Sequence, residues 1–248
     1  MASTSETGHS KNVANFENLV SYVTGYGAAY KPSKSSIMLT ALQALSTSAK
    51  NAIGAVNAAL PAYSNAVSAR EAAFEPFSKL ITRVMNALKA TDTTEQVDES
   101  AKTLVRKLQG SRATAKKTEE EKKVAAAAGK EVVEISSSQM SYDSRLDNFD
   151  KLIKLLASVA LYAPNEADLK VAALTTLYND LKAKNTAVAT ATIPLSNARI
   201  ARNDILYKPN TGLVDTALDV KTYIKSLYGA TSPQYKQVSG LEFRTVKA

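Results

Sequence analysis

The chain has 248 residues, with 31 Lys and Arg against 23 Asp and Glu, and its formal net charge is +8. It contains no cysteine and no tryptophan, which excludes disulfides, thiolate metal ligands and cysteine nucleophiles. Ala, Lys, Leu, Ser and Thr dominate, whereas there are only 9 Gly and 7 Pro. This composition is typical of a helical protein, and we predict an all-α fold.

Residues 1–15 are polar and rich in small residues, without the basic and apolar regions of a signal peptide. No apolar run approaches the ~18–20 residues of a membrane-spanning helix. We therefore expect a cytoplasmic protein and leave secretion by a route without a cleavable signal open. Residues 1–14 are predicted to be a flexible segment, in which His9 is solvated.

The first long helix has the clearest periodic pattern. After a short helix over residues 16–23, the pattern predicts a helix from about residue 34 to Phe74. Apolar residues recur at alternating spacings of four and three, as in a heptad seam. The seam consists of Met38, Leu42, Leu45, Ala49, Ala52, Val56 and Ala59. Pro61 is interpreted as a kink within this helix and residues 74–76 as its end.

Further helices follow in chain order. They are predicted over residues 77–110 with a break near 91–94, over a connector at 117–160, over 166–207 with a kink at Pro194, and over 213–228. The connector pattern runs from Val132 to Leu156 with Gln139 as its one polar seam position. The C-terminal tail, residues 232–248, is predicted to be extended and docked on the helices, because apolar residues alternate from Leu241 to Val246.

Residues 30–110 and 162–229 are similar to each other, which indicates an internal duplication. Tyr162 lies 132 residues after Tyr30, and the same offset relates Pro32 to Pro164 and Leu42 to Leu174. Lys102 to Gly110 resemble Lys221 to Gly229, which makes residues 91–100 a surplus of the first copy. We therefore predict a single elongated antiparallel bundle over residues 15–231, built from two copies and the connector helix.

Catalytic and metal-binding patterns are lacking. His9 is the only histidine, and no Gly-rich phosphate loop and no Glu-x-x-His pair occur. Asp143, Asp147 and Asp150 share one helical face, but basic residues beside them favour a solvated face over a metal site. We predict no enzyme activity, no catalytic, cofactor-binding or metal residue, no cofactor and no small-molecule substrate.

The first long helix carries unusually little charge. Lys50 is the only charged residue between positions 35 and 69. A helix face that met only water would carry more Lys and Glu. This face is therefore expected to be covered by other helices of the chain, by a second copy or by a membrane. Its candidate interaction residues are Gln43, Thr47, Gly54 and Asn57.

A polar pair recurs in both copies, as Asn65 with Arg70 and as Asn197 with Arg202. One interpretation is that the two pairs meet around a pseudo-twofold axis and hydrogen-bond across it. In the other, each asparagine satisfies carbonyl groups that the neighbouring proline kink frees. Both interpretations remain open, and all four residues are candidate interaction residues.

Three functions are compatible with these patterns. The leading one is a non-enzymatic structural or interaction protein that self-associates or scaffolds another protein through its low-charge faces. An alternative is a membrane-active bundle resembling the α-helical pore-forming toxins, with residues 35–69 as the inserting segment. A second alternative is nonspecific binding of nucleic acid or anionic surfaces, which the interleaving of Lys and Glu over residues 116–123 disfavours.

Two strings resemble a family of all-helical bacterial proteins of Bacteroidetes type. They are Ser-Gln-Met-Ser-Tyr-Asp-Ser-Arg-Leu-Asp-Asn-Phe-Asp-Lys-Leu, at residues 138–152, and Ser-Pro-Gln-Tyr-Lys-Gln-Val, at residues 232–238. The resemblance covers most of the chain and implies a bacterial origin and a self-contained unit. It carries no activity, ligand or functional residue over to this chain.

Overall fold

The computed structural model describes residues 7–111 and 140–245, with isolated positions 118, 120, 123, 124 and 127 between them. Helices form all regular structure in these residues, and no strand occurs among them, so the all-α prediction is confirmed. The helices are α1 (Thr7–Gly25), α2 (Leu39–Phe74), α3 (Phe77–Lys89), α4 (Glu95–Gln109), α5 (Tyr142–Ser158), α6 (Val171–Tyr207), α7 (Leu213–Tyr228) and α8 (Pro233–Ser239).

The chain forms two compact units. Unit 1 contains Met1–Tyr63 and Ala191–Ala248, and unit 2 contains Ser64–Thr190. Each unit buries its own apolar core, centred on Phe16, Leu42 and Val220 in unit 1 and on Phe77, Phe149 and Leu174 in unit 2. The boundary between the units runs through the bundle predicted over residues 15–231.

The first helix of each unit shows that the duplication is longer than the sequence suggests. α1 buries Phe16, Leu19, Val20 and Val23. α5 buries Phe149, Leu152, Ile153 and Leu156 at the same spacings. Helix α5 is therefore the first helix of the second copy, and its assignment to the connector is wrong.

A tyrosine hydrogen bond marks the start of each long helix. Short 3-10 turns, Ser35–Ile37 and Ala167–Leu169, precede α2 and α6. The Tyr30 hydroxyl donates to the carbonyl of Ile37 at 2.8 Å, and the Tyr162 hydroxyl donates to the carbonyl of Leu169 at 2.9 Å. Both bonds span seven residues, which agrees with the offset of 132 inferred from the sequence.

Helix α3 is the counterpart of α7. α3 buries Phe77, Ile81, Val84 and Leu88, and α7 buries Leu213, Ala217, Val220 and Ile224 at the same spacings. The alignment of Lys102–Gly110 with Lys221–Gly229 is therefore wrong. Amphipathic helices share the same apolar period and therefore align easily with one another. For this reason the sequence alignment pairs α7 with α4 instead of α3.

Each unit combines the first part of one copy with the last part of the other. Unit 1 contains α1 and the start of α2 from the first copy, with the end of α6, α7 and α8 from the second. Unit 2 contains α5 and the start of α6 from the second copy, with the end of α2, α3 and α4 from the first. Neither core is complete without both copies.

The predicted ends of the long helices are confirmed, and each helix continues through its proline as predicted. α2 continues through Pro61 and ends at Phe74, and α6 continues through Pro194 and ends at Tyr207. Gly110 ends α4 with a φ of 68°, in the left-handed region that glycine adopts without strain.

An ion pair links each 3-10 turn to the helix packed against it. In unit 1, Lys34 before the first turn pairs with Asp219 of α7. In unit 2, Asp168 within the second turn pairs with Arg83 of α3. Asp219 and Arg83 occupy equivalent positions in their helices, so the signs of the two charges are reversed between the units.

The expectation of a flexible segment over residues 1–14 is wrong from Thr7 onward, where α1 begins. His9 and Asn12 are buried rather than solvated. Nδ1 of His9 lies 2.6 Å from the Tyr207 hydroxyl, and the Asn12 side chain pairs with the backbone of Arg244. Distant parts of the chain supply these polar partners, so local composition could not indicate the burial.

The connector prediction is wrong at its centre. Helix α5 begins at Tyr142, and the Ser141 side chain caps it by accepting from the Ser144 amide at 3.1 Å. A helix continuous through Met140 is therefore not formed. Most of the predicted connector before Met140 lies outside the described residues.

The tail is extended only in part. Ser232 caps α8 with its hydroxyl, and Pro233 occupies the first turn, where the missing N–H costs nothing. The extended prediction is therefore wrong for Pro233–Ser239. Residues 241–245 have no regular structure, and Leu241 and Phe243 pack on the core of unit 1.

Candidate functional site

One side of α2 in unit 1 is exposed and carries a single charged residue, Lys50, and we call it the outer face. The opposite side of the helix buries Leu42, Ala49 and Val56 in the core of unit 1 or beside it. Besides Lys50, the outer face consists of Gln43, Thr47, Asn51, Gly54, Asn57 and Ala58, all of which are exposed. The structure thus brings four of the predicted interaction residues, Gln43, Thr47, Gly54 and Asn57, onto one surface.

The single charge near this face is neutralised. Lys50, the only charged residue between positions 35 and 69, forms an ion pair with Glu17 of α1. Lys50 lies on this side of α2, seven residues from both Gln43 and Asn57, and Glu17 of α1 supplies the opposite charge. The outer face therefore presents no unpaired charge.

The polar groups of the outer face are partly satisfied within the helix. The Thr47 hydroxyl donates to the carbonyl of Gln43 at 3.0 Å, and the neighbouring Ser48 hydroxyl donates to Ala44 at 3.0 Å. A hydroxyl that already has a partner loses less on desolvation than a free one. Covering this face therefore costs less free energy than covering a face of Lys and Glu.

Gly54 has no packing role among the residues that the structure describes. A Cβ atom built at this position meets no atom within 4 Å. Glycine in a helix interior costs about 0.5–1 kcal/mol relative to alanine. Close approach of another backbone is a usual reason for a helical glycine, and no described residue of this chain supplies that backbone.

Arg70 holds three helices of unit 2 together. Its Nη1 donates to Oδ1 of Asn185 on α6 at 3.0 Å, and its guanidinium lies 3.9 Å from the centre of the Tyr142 ring on α5. Asn185 in turn donates to Asp143 at 2.7 Å. These contacts give Arg70 a role in packing within unit 2.

Arg202, the equivalent residue in unit 1, has different contacts. It is 4% exposed, and its Nε and Nη2 donate to Oδ1 of Asn203 at 3.1 and 2.8 Å. Asn65 and Asn197 are exposed, and neither makes a side-chain hydrogen bond in the part of the chain that the structure describes. Neither interpretation of the repeated asparagines is seen there.

The acidic face of α5 is ion-paired. Asp147 and Asp150 form i,i+4 pairs with Lys151 and Lys154, each at 2.5 Å. Within the described residues, no cluster of three or more His, Cys, Asp and Glu could hold a metal ion. The two ion pairs agree with the solvated-face interpretation of these carboxylates.

Unit 2 also contains a groove that sequence reasoning missed. Its volume is about 550 Å³, and the end of α2, the first half of α3, the 3-10 turn Ala167–Leu169 and the start of α6 form its walls. Six of its nine lining residues are apolar, namely Ala73, Pro76, Phe77, Leu80, Ala173 and Leu177. Phe77 belongs to the core of unit 2, and Ala73, Leu80 and Leu177 pack against it, so nothing in the sequence indicates that they share a cavity.

Polar groups occupy the rim of this groove, where Lys79, Arg83 and Asp168 complete its lining. Two hydrogen bonds join Arg83 and Asp168, one of them from Nη2 to Oδ1 at 3.2 Å. The bonded guanidinium holds the pKa of the Asp168 carboxyl below its usual value. Arg83 also lines a second cavity, of about 480 Å³, so this side chain is shared by the two cavities.

No known protein family, curated protein or solved structure is significantly similar to this chain. These comparisons therefore do not support the resemblance to the Bacteroidetes-type family. Among the described residues, no helix has the length and apolar character needed to cross a membrane.

Proposed function

We propose that this protein is a non-enzymatic interaction protein and that a second copy of the chain binds to the outer face of α2. The observation that carries the proposal is the absence of unpaired charge on an exposed helix face, together with the pairing of Lys50 to Glu17.

The net charge supports a second copy as the partner. Because each chain carries +8, most surfaces of two copies repel each other. A face whose one lysine is paired with Glu17 meets its own image with little like-charge contact and without burying an unpaired ion. Two copies would therefore be expected to meet where the charge is lowest.

The local chemistry of the face supports close packing. Gly54 and Ala58 lie four residues apart on the same side of α2, and both are exposed. Small side chains at this spacing allow two helix backbones to approach. Gln43, Asn51 and Asn57 supply amides that can hydrogen-bond across the contact, as polar groups do in most protein interfaces.

Mass measurement in solution tests the proposal. We expect the full chain to form a discrete dimer or higher oligomer by sedimentation velocity, in a concentration-dependent equilibrium. The double variant Gln43→Glu with Thr47→Glu places like charges on both sides of the contact and should shift this equilibrium to monomer. Its two substitutions also reduce the net charge, which by itself would favour association, so a loss of association reports on the face.

The matched control is Thr222→Glu with Ser226→Glu. These two residues are exposed on α7 with the same i,i+4 spacing and give the same change in net charge. The control should associate as the unchanged chain does. A strictly monomeric chain at high micromolar concentration, or equal loss in both double variants, would contradict the proposal.

A further inference from the structure

The groove in unit 2 is separate from the outer face and is built differently. It is lined mainly by apolar side chains and has three charged residues at its rim. A volume of about 550 Å³ lies within the range of small-molecule sites, which are mostly apolar with a few placed polar groups. We propose that this groove binds a linear anionic amphiphile. The hydrocarbon chain of the ligand would lie among the apolar residues of the groove, and its carboxylate would lie at Lys79.

The charge at the rim favours an anion. Arg83 and Asp168 neutralise each other through two hydrogen bonds. Lys79 lies one turn before Arg83 on α3 and makes no ion pair within the described residues. The rim therefore carries one uncompensated positive charge beside an apolar surface.

The ion pair also favours a short ligand with one terminal charged group over a long peptide. Asp168 belongs to the 3-10 turn and Arg83 to α3, so their hydrogen bonds cross between the walls of the groove. A peptide helix running along the groove would have to break this pair. An acyl chain occupies a short apolar groove and presents its single charged group at the rim.

Comparison of the two copies indicates that the groove is a specialised feature of unit 2. Lys79 and Leu80 correspond to Asp215 and Thr216 of α7, in the register that matches Phe77 with Leu213. Asp215 accepts from the backbone amide of Asn210 at 2.8 Å, and Thr216 is buried at 2% exposure. The equivalent place in unit 1 is thus polar and acidic and uses its carboxylate to hold a turn.

Fluorescence of cis-parinarate tests this proposal on the full chain, with its uncharged methyl ester as the second probe. We expect saturable binding of the acid, with one site per chain, and weaker binding of the ester. Ala173→Leu fills the groove and should weaken binding of the acid about tenfold or more. Lys79→Gln should weaken it about twofold to fivefold and leave the ester unchanged.

The control variant is Lys89→Gln, which removes a charge from the same helix outside the groove lining. It should bind both probes as the unchanged chain does, and circular dichroism should show that every variant keeps its helix content. A second fill, Ala73→Leu, repeats the test from the other wall if Ala173→Leu fails to fold. No saturable binding, or binding that neither fill weakens, overturns the proposal.

Two further outcomes would also overturn it. If the acid and the ester bind equally and Lys79→Gln has no effect, the groove does not recognise an anionic group. A change in oligomer mass caused by Ala173→Leu, without a change in probe binding, would make the groove an interface between copies. Since the outer face is tested by its own variants, failure of this proposal leaves the proposed self-association unaffected.

Discussion

Tyr30 and Tyr162 are equivalent residues that close equivalent turns, each by donating its hydroxyl to a carbonyl seven residues later. Both side chains are buried, with exposures of 8% and 6%. Each bond holds the 3-10 turn that leads into a long helix, so the two hydroxyls define where α2 and α6 begin.

Replacement of either tyrosine by phenylalanine should destabilise the protein. Tyr162→Phe keeps the ring but leaves the buried carbonyl of Leu169 without this donor, which costs about 1–2 kcal/mol. Tyr30→Phe should have a similar effect through Ile37. Chemical denaturation followed by circular dichroism measures both, and a loss well below this range in both variants would show that the turns hold without the hydroxyls.

Alkaline pH should weaken the fold through these tyrosines. Burial, with a smaller effect from nearby Asp168, raises the pKa of Tyr162 to about 12. Burial likewise raises the pKa of Tyr30. Because an unfolded tyrosine has a pKa of about 10, the neutral phenol stabilises the fold below that pH. This contribution should be lost as the pH rises from about 10 to about 12.

Thermal unfolding across that pH range provides the measurement. The double variant Tyr30→Phe with Tyr162→Phe should lose less stability between pH ~10 and ~12 than the unchanged chain, although it begins less stable. Lysine deprotonation affects both chains equally and cancels in the difference. If stability falls equally with pH in both chains, the two tyrosines do not cause the loss of stability at alkaline pH.

Cutting the chain between its copies should leave the two pieces associated. Each core contains helices from both copies, with α1 and α7 in contact in unit 1 and α4 and α5 in contact in unit 2. A protease site placed after Ser111 allows the cut in the folded full chain. The pieces should then co-elute and separate only in denaturant; separation in native buffer would mean that each copy is stable alone.

Gly54→Ala should have opposite effects on folding and on association. Without neighbours around its Cβ position, alanine should stabilise the helix by about 0.5–1 kcal/mol. The same methyl group would hold apart two backbones that meet at this face. We expect a higher unfolding midpoint with a weaker dimer by sedimentation, whereas unchanged association would place the contact elsewhere.

Reversing one ion pair tests its part in the fold. In unit 1, Asp219→Lys would face Lys34 with a like charge, and adding Lys34→Asp should restore the attraction. For such exposed pairs a double-mutant cycle is expected to give a coupling of about 0.2–1 kcal/mol. The free energy of unfolding of the four chains measures it, and a coupling of zero would make the pair incidental.

The sequence predicted helices well because their signals are local. The apolar period of α2, the two kinking prolines and the helix-ending Gly110 all act within a few residues. Burial of His9 and Asn12 could not be predicted, since Tyr207 and Arg244 supply their hydrogen bonds from nearly 200 or more positions away. Burial also depends on distant parts of the chain, and the correspondence of α3 with α7 follows only from the residues that the two helices bury.

The candidate surfaces differ in the same way. The outer face of α2 is visible in the sequence, because a scarcity of charge is a property of one segment. The groove depends on Phe77 and Leu80 lying opposite Ala173 and Leu177. Such a relationship between distant helices has no sequence signal of its own.

The reversed ion pairs favour one of two ways in which the helices of the two copies could pack. Each copy could pack on itself, or each unit could combine helices of both copies. If each copy folded back on itself, Lys34 would face Arg83 and Asp168 would face Asp219, so like charges would meet in both units. In the observed arrangement both contacts are attractive. The charges thus disfavour packing of either copy on itself. In a chain made of two identical copies, the same charges would not distinguish packing within a copy from packing between copies.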